Sequence, residues 1–301
     1  MALLEARGLT VTYGGLNANE AIDLDCTTGK LVGLIGPNGA GKTTFIDAIT
    51  GFTPISAGSV TFDGEDLAGV APHQRARRGL TRTFQSLELF EDLTVRDNMF
   101  AAAERATWHS VITDMILPGR NERRYREQVE WALEIMRLQD FAEKMPSDLS
   151  HGQRKLIGVA RALAAKPKLV LLDEPAAGLD TTESRLLGQH LREFLTHDMS
   201  LFLIDHDMGL VLNVCDYIYV LDFGKIIAHG TPAEVRADPA VIAAYLGESA
   251  GEAQARDGAP MTIDDVADDM AHDHDDELAA ERATAGAATP TPATDDARRT
   301  P

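Results

Sequence analysis

Residues 36–44 read Gly36-Pro37-Asn38-Gly39-Ala40-Gly41-Lys42-Thr43-Thr44, which fits G-x-x-x-x-G-K-[ST], a pattern whose backbone cradles phosphate. The residues before it, Leu31-Val32-Gly33-Leu34-Ile35, form a short apolar strand-type run, and Thr43 to Thr50 reads as the first turns of a helix. That strand–loop–helix context is what makes the pattern credible, because a glycine-containing loop alone matches by chance. The glycines let successive N–H groups converge on one anion. The helix start adds about half a positive charge at the same place. Lys42 is expected to reach the β- and γ-phosphates, and the Thr43 hydroxyl to hold Mg²⁺.

Working outward, the chain has 301 residues, 44% hydrophobic and 25% charged. This suits a water-soluble chain of one large or two modest domains. No apolar run approaches the length that spans a bilayer. Glu5 and Arg7 interrupt the only apolar start, so no secretory leader is expected. Two cysteines, Cys26 and Cys215, provide no disulfide framework or metal-type spacing; buried thiols in a reducing compartment are expected. The net charge is −19, and residues 248–301 hold 14 Asp and Glu against 4 Arg. The first 247 residues are acidic as well, with 33 acidic and 24 basic groups. Neither part offers the basic surface that nucleic-acid binding needs.

From about Glu248 the chain is rich in Ala, Asp, Thr and Pro and lacks aromatics, the composition of a disordered acidic tail. Its run His272-Asp273-His274-Asp275-Asp276 reads as solvated charge, with weak divalent-cation binding as the other reading. Before the tail, strands and helices alternate. Strands are expected at Leu9–Tyr13, Ile22–Cys26, Ser59–Asp63, Thr81–Gln85, Leu169–Leu172, Leu201–Ile204 and Tyr217–Leu221. The continuous apolar run Leu169–Leu172 is typical of a buried parallel strand. The alternation predicts an α/β core with a parallel sheet. Residues 86–165 read as mainly helical, including a charged amphipathic stretch from Asn121 to Leu138, and look like an inserted helical subdomain.

The second half of the site lies at Asp173-Glu174-Pro175, directly after Leu169–Leu172. Acids at the carboxyl end of a buried strand stand where α/β sheets bind ligands. Asp173 is expected to assist Mg²⁺, directly or through water, and Glu174 to act as general base on the attacking water. Alone, the pair would be an acidic turn. Leu149-Ser150-His151-Gly152-Gln153 precedes a helix running to about Ala165, with Ser150 as N-cap and free N–H groups behind it.

Together these motifs resemble the ATP-binding-cassette ATPases, over about Leu3 to Leu246. In that resemblance Gly36–Thr44 is the Walker A loop, Leu149–Gln153 the signature, and Leu169–Glu174 Walker B. Gln85 matches the Q-loop glutamine, which senses Mg²⁺ and the γ-phosphate near the membrane partner. Asp180, in Ala177-Gly178-Leu179-Asp180, matches the D-loop, and His206 the switch histidine on the γ-phosphate. Tyr13 stands where an aromatic lies against adenine. Ser150, Gly152 and Gln153 match the phosphate-contacting part of the signature, with His151 in place of its first glycine. A branch of the family that imports branched-chain amino acids, urea or similar small amides carries His or Tyr there. The runs Gly79–Gln85, Leu89–Asn98 and Pro239–Gly247 also look like that branch.

The resemblance implies an ABC core at 1–247 with a parallel sheet, an antiparallel β subdomain and a helical subdomain. It implies ATP and Mg²⁺ as ligands and a second ATPase subunit, the same or a paralogue. It also implies two membrane permeases and, indirectly, an extracytoplasmic binding protein. The chain would then sit at the cytoplasmic face of the membrane, held through the permeases. Two alternatives are a soluble, non-transport ABC ATPase and a lipid-export ATPase.

Overall fold

The computed structural model describes residues 1–83, 89–103, 120–197 and 199–249. Two sheets share the chain. The first strands are β1 (Ala2–Tyr13), β2 (Leu16–Thr27) and β3 (Leu31–Ile35). Helix α1 (Lys42–Thr50) follows, then β4 (Ala57–Phe62), β5 (Glu65–Asp66), α2 (Pro72–Arg78) and β6 (Leu80–Arg82). Next, among the described residues, come the helices α3 (Val95–Ala103), α4 (Arg120–Ile135) and α5 (His151–Ala164). The chain then returns through β7 (Leu169–Asp173), α6 (Thr181–Phe194), β8 (Ser200–Ile204) and α7 (Met208–Val214). It closes with β9 (Tyr217–Asp222), β10 (Lys225–Gly230), α8 (Pro232–Ala237) and α9 (Pro239–Ser249). Among the described residues no helix is long and apolar enough to cross a membrane.

The larger sheet has the order β10-β9-β3-β8-β7-β6. Its strands run parallel except for the β9–β10 hairpin. The other sheet, β2-β1-β4-β5, is antiparallel. Both faces of the parallel sheet are covered, and strand alternation sorts its side chains between two cores. Val32, Leu34, Leu171, Phe202 and Ile204 pack with α1 and the antiparallel sheet. Leu31, Ile35, Val170, Leu172, Leu201 and Leu203 pack on the other side with α3 to α7. Phe45 of α1 meets Phe202 of β8 with ring centroids 6.2 Å apart, which seats α1 on the sheet next to the loop that precedes it.

β6 and β7 are neighbours in the parallel sheet, yet the chain between them carries α3, α4 and α5. The helical insertion thus leaves and re-enters at adjacent strands. Helix α4 begins at Arg120 and ends at Ile135, short of Leu138, because Arg137 turns to φ 52°. β1 begins at Ala2, well before Leu9. A register shift between Ala6 and Leu9, at the left-handed Gly8, breaks its alternation. β10 is a strand that the apolar runs do not announce; its hairpin turn uses Phe223 (φ 42°) and Gly224 (φ 78°), the all-positive pair of a tight two-residue hairpin. Gln85 and the tail from 250 onward lie outside the described residues. Cys26 and Cys215 are both buried and unpaired, and burial pushes the Cys26 thiol up to about 12.

Candidate active site

β3 is buried along its whole length and delivers Gly36 to the carboxyl edge of the parallel sheet. Gly36 (φ 152°) lies so close to β9 that a Cβ there would fall 1.9 Å from the Leu221 carbonyl oxygen. Gly41 (φ 104°) is held against β2, where a Cβ would fall 2.4 Å from the Ala18 oxygen. The Asn19 amide donates to the Gly41 carbonyl at 3.2 Å, and the Gly224 N–H to the Ala40 carbonyl at 2.9 Å. The loop is therefore gripped by two neighbouring strands and a hairpin while Asn38, Gly39 and Thr43 stay exposed. Lys42, 7% exposed, folds over the loop and donates to the carbonyls of Pro37 (2.9 Å) and Gly36. No side chain caps the first turn of α1, so its amide dipoles face the loop's concavity.

Register fixes the rest of the edge. Ile204 at the end of β8 pairs with Leu34 on one side and Asp173 on the other. Asp173 therefore lies two strand spacings, about 10 Å, from the phosphate-loop strand. Between them runs the β8 exit that carries His206. Asp173 is 4% exposed. Its Oδ2 accepts from Arg82 Nη2 at 2.6 Å, and the other arm of Arg82 binds Asp47 of α1. Burial raises the Asp173 pKa above the usual carboxylate range, against the opposing pull of Arg82. The remaining oxygen, Oδ1, is buried without a hydrogen-bond partner. Glu174 follows in the left-handed region at φ 48°, unusual for a residue with a side chain. Its N–H is fixed to the Ile204 carbonyl at 2.7 Å. A non-glycine residue in that region is strained, and such strain gathers at functional turns.

Ser150 caps α5 as expected. Its hydroxyl accepts from the Gln153 N–H at 3.2 Å, and the Gln153 side chain accepts from the Ser150 N–H at 3.0 Å. The two residues form a reciprocal capping box, with Ser150 and His151 exposed. Gly152 is buried, and a Cβ there would meet the Glu183 carboxylate at 2.4 Å. Asp180 caps α6, accepting from the N–H groups of Thr182 and Glu183 at 3.0 and 2.9 Å. His206 stands beside the fully buried Asp205, Nδ1 to Oδ1 3.6 Å. Tyr13 is exposed at the β1–β2 hairpin, and its hydroxyl lies 3.2 Å from the Thr53 hydroxyl, past the end of α1 away from the phosphate loop.

A phosphate loop, an Asp-Glu strand end and an exit histidine thus share one sheet edge. A family model described as "ABC transporter" matches residues 20–177. The chain belongs to the ABC transporter family. A second model, described as "Branched-chain amino acid ATP-binding cassette transporter", matches residues 225–251, from β10 into the last helix. The cassette is 38% identical over 251 residues to the high-affinity branched-chain amino acid transport ATP-binding protein BraF of Pseudomonas aeruginosa, covering 82% of this chain and 98% of that one. It is 36% identical, with the same coverage, to LivG of Escherichia coli, which carries the same description. The lipopolysaccharide export system ATP-binding protein LptB of E. coli is also 36% identical over 251 residues, covering 82% of this chain and 98% of LptB. Among solved structures, the ADP conformation of MJ1267, an ATP-binding cassette of an ABC transporter, superposes with a TM-score of 0.72 at 30% identity, covering 82% of this chain and 99% of that one.

The cassette is therefore a nucleotide-binding ATPase of the ABC transporters. Three groups at its site carry no local signal in the sequence. Arg82 is visible there only as part of the Gly79–Gln85 run, with no sign that it reaches both Asp47 and Asp173. Lys155 looks like one more charge on an amphipathic helix, yet it is 8% exposed. Asp205 is overshadowed by the histidine that follows it. Burial of a charged group is a long-range outcome, and nothing local announces it.

Proposed function

We propose that the cassette hydrolyses ATP to energise an importer of branched-chain amino acids or related small amides, working as one of two ATPase subunits beneath two membrane permeases. The observation that carries this reading is the common edge on which Lys42, Asp173, Glu174 and His206 stand, together with the likeness of residues 225–251 to the branched-chain amino acid transporters. The cassette would lie at the cytoplasmic face of the membrane, with an extracytoplasmic binding protein supplying substrate to the permeases.

Lys42 and the first-turn amides of α1 hold the β- and γ-phosphates once the ammonium leaves the loop carbonyls. For the adenine to rest on Tyr13, that ring must leave the Thr53 hydroxyl, where it stands past the end of α1. The exposed Thr43 hydroxyl and the unpartnered Asp173 Oδ1 would hold Mg²⁺ through oxygen donors of the kind it prefers, and Gln85, outside the described residues, is the further ligand that the family resemblance implies. That ion, when bound, offsets charge on the phosphates. Glu174 takes the proton of the attacking water, and His206 donates to the γ-phosphate. Ser150, Gly152 and Gln153 of one subunit, with Asp180, complete the site of the other. Hydrolysis removes the anion that holds the two together, and the pair opens.

Replacing Glu174 with Gln tests this. The variant should bind ATP, lose turnover and collect as a dimer by size exclusion in ATP. Phosphate release at the wild-type rate, or a strictly monomeric ATP-loaded variant, would refute the reading. The likeness to LptB over the same length favours one rival, a lipid-export ATPase. Co-purification of the full chain with its membrane partners, followed by substrate-stimulated hydrolysis, separates the two: stimulation by leucine-type amino acids with a binding protein supports import.

A further inference from the structure

We propose that Lys155 is a positioning residue that fastens the start of α5 to the turn carrying Glu174, so that events at one nucleotide reach the other through a single chain. Lys155 lies five residues after the Ser150 cap and is buried. Its ammonium donates to the Ala177 carbonyl and reaches the Glu174 carbonyl at 3.4 Å. A second buried side chain grips the same turn. Asp205, 0% exposed, accepts from the Ala176 N–H at 3.0 Å through Oδ2 and from the Asp207 N–H at 3.0 Å through Oδ1. The segment Glu174–Ala177 is thus held by its carbonyls to α5 and by an amide to the turn that carries His206.

Two glycines allow the helix to come this close. A Cβ on Gly178 would fall 3.1 Å from the His151 ring, and one on Gly152 would meet the Glu183 carboxylate. The first two turns of α5 therefore dock along 174–183 at three points, through Lys155, His151 and Gly152. Burial outweighs the opposing pull of Asp205 and Glu174 and leaves the Lys155 pKa below its ordinary value. A buried cation on two carbonyls is a stiff link: the Glu174 carbonyl also accepts from the Ala177 N–H at 3.3 Å, but the Ala177 carbonyl loses its ammonium donor when the lysine is removed.

The inference rests on the reading that Glu174 serves its own nucleotide while Ser150 serves the partner's. On that reading Lys155 sets the distance and angle between the two. Without it both nucleotides can still bind, but the arrival of Ser150 no longer orients Glu174 in the same subunit.

The experiment uses the full chain with Mg-ATP. In Lys155→Met, ATP affinity and ATP-driven dimerisation in the Glu174→Gln background should match the parent. The kcat should fall about ten-fold and the Hill coefficient for ATP should drop toward 1, and Lys155→Arg should restore most of both. Unchanged kcat and Hill coefficient in Lys155→Met overturn the proposal. So does a loss that tracks ATP affinity or melting temperature, since that marks a structural role. If Lys155→Met does not fold, Lys155→Gln, which keeps a donor and drops the charge, is read the same way. If the Glu174→Gln parent itself fails to dimerise, the two-subunit reading falls, and this proposal with it. If that parent dimerises and the lysine variants behave as wild type, only the proposal falls.

Discussion

The guanidinium of Arg82 and the carboxylate of Asp173 form a buried pair, 2.6 Å between Nη2 and Oδ2, with side chains 9% and 3% exposed. The second arm of Arg82 holds Asp47 on α1, so one side chain joins the end of β7 to the helix behind the phosphate loop. This bridge occupies one Asp173 oxygen and leaves Oδ1 turned away from it without a partner. On the proposed reading of Asp173 as a magnesium ligand, Arg82 selects which of its oxygens meets the ion.

Removing one partner of a buried pair strands the other charge, which typically costs about 3–5 kcal/mol. Arg82→Met should lower the unfolding free energy by that order in urea titrations. It should also weaken the Mg²⁺ dependence of nucleotide binding, followed with a fluorescent ATP analogue. Adding Asp173→Asn to Arg82→Met should recover part of the lost stability, and the double-mutant cycle measures the coupling. A cost below about 1 kcal/mol, the level of an exposed pair, would show that the bridge does not hold the site.

The glycines of the phosphate loop differ in what they avoid. Gly39 (φ 77°) has open space where a methyl group would stand, with nothing within 4 Å, whereas a Cβ on Gly36 or Gly41 would run into the backbone of Leu221 or Ala18. Gly39→Ala should cost only backbone strain, about 1–2 kcal/mol, and retain ATP binding. Gly36→Ala and Gly41→Ala must move a strand, so they should lose more stability than Gly39→Ala and abolish binding. Thermal unfolding and nucleotide titration of the three variants check this; equal effects at all three positions would refute the clamp.

These relationships show which parts of the site can be read in advance. The phosphate loop, the Ser150 cap and the strand Leu169–Asp173 are local: spacing, capping chemistry and unbroken apolarity declare them. The parallel sheet follows from the same runs, whose side chains are buried on both faces. The halves of β1 cannot be joined from sequence, because the left-handed Gly8 shifts the register and hides the period of two. β10 stays hidden although Gly224 ends a tight turn, because Phe223 ahead of it is a poor turn residue by composition. The Arg82 bridge and the Lys155 clip depend on pairs 91 and 22 residues apart in sequence. Only the strand order brings such groups together.

Asp216, between α7 and β9, gives a test of the packing behind the site by pH. Its Oδ2 accepts from the Leu31 N–H at 2.9 Å, at the start of β3, and its Oδ1 lies 3.1 Å from Arg192 and 3.6 Å from Lys30. Burial works against the ionised carboxylate, but the Leu31 amide and Arg192 outweigh it and hold the pKa below the ordinary 3.8. The unfolded chain therefore takes up the proton first as pH falls. The stabilisation is complete above the unfolded value and disappears as pH drops through the lower, folded one. A hydrogen-bonded carboxylate of this kind contributes about 1–2 kcal/mol. Urea unfolding of the wild type and Asp216→Asn should differ by that order near neutral pH, and the gap should narrow once the pH falls below 3.8. A gap that stays constant across this range would mean that Asp216 acts through shape, with its charge contributing nothing to the seat of β3.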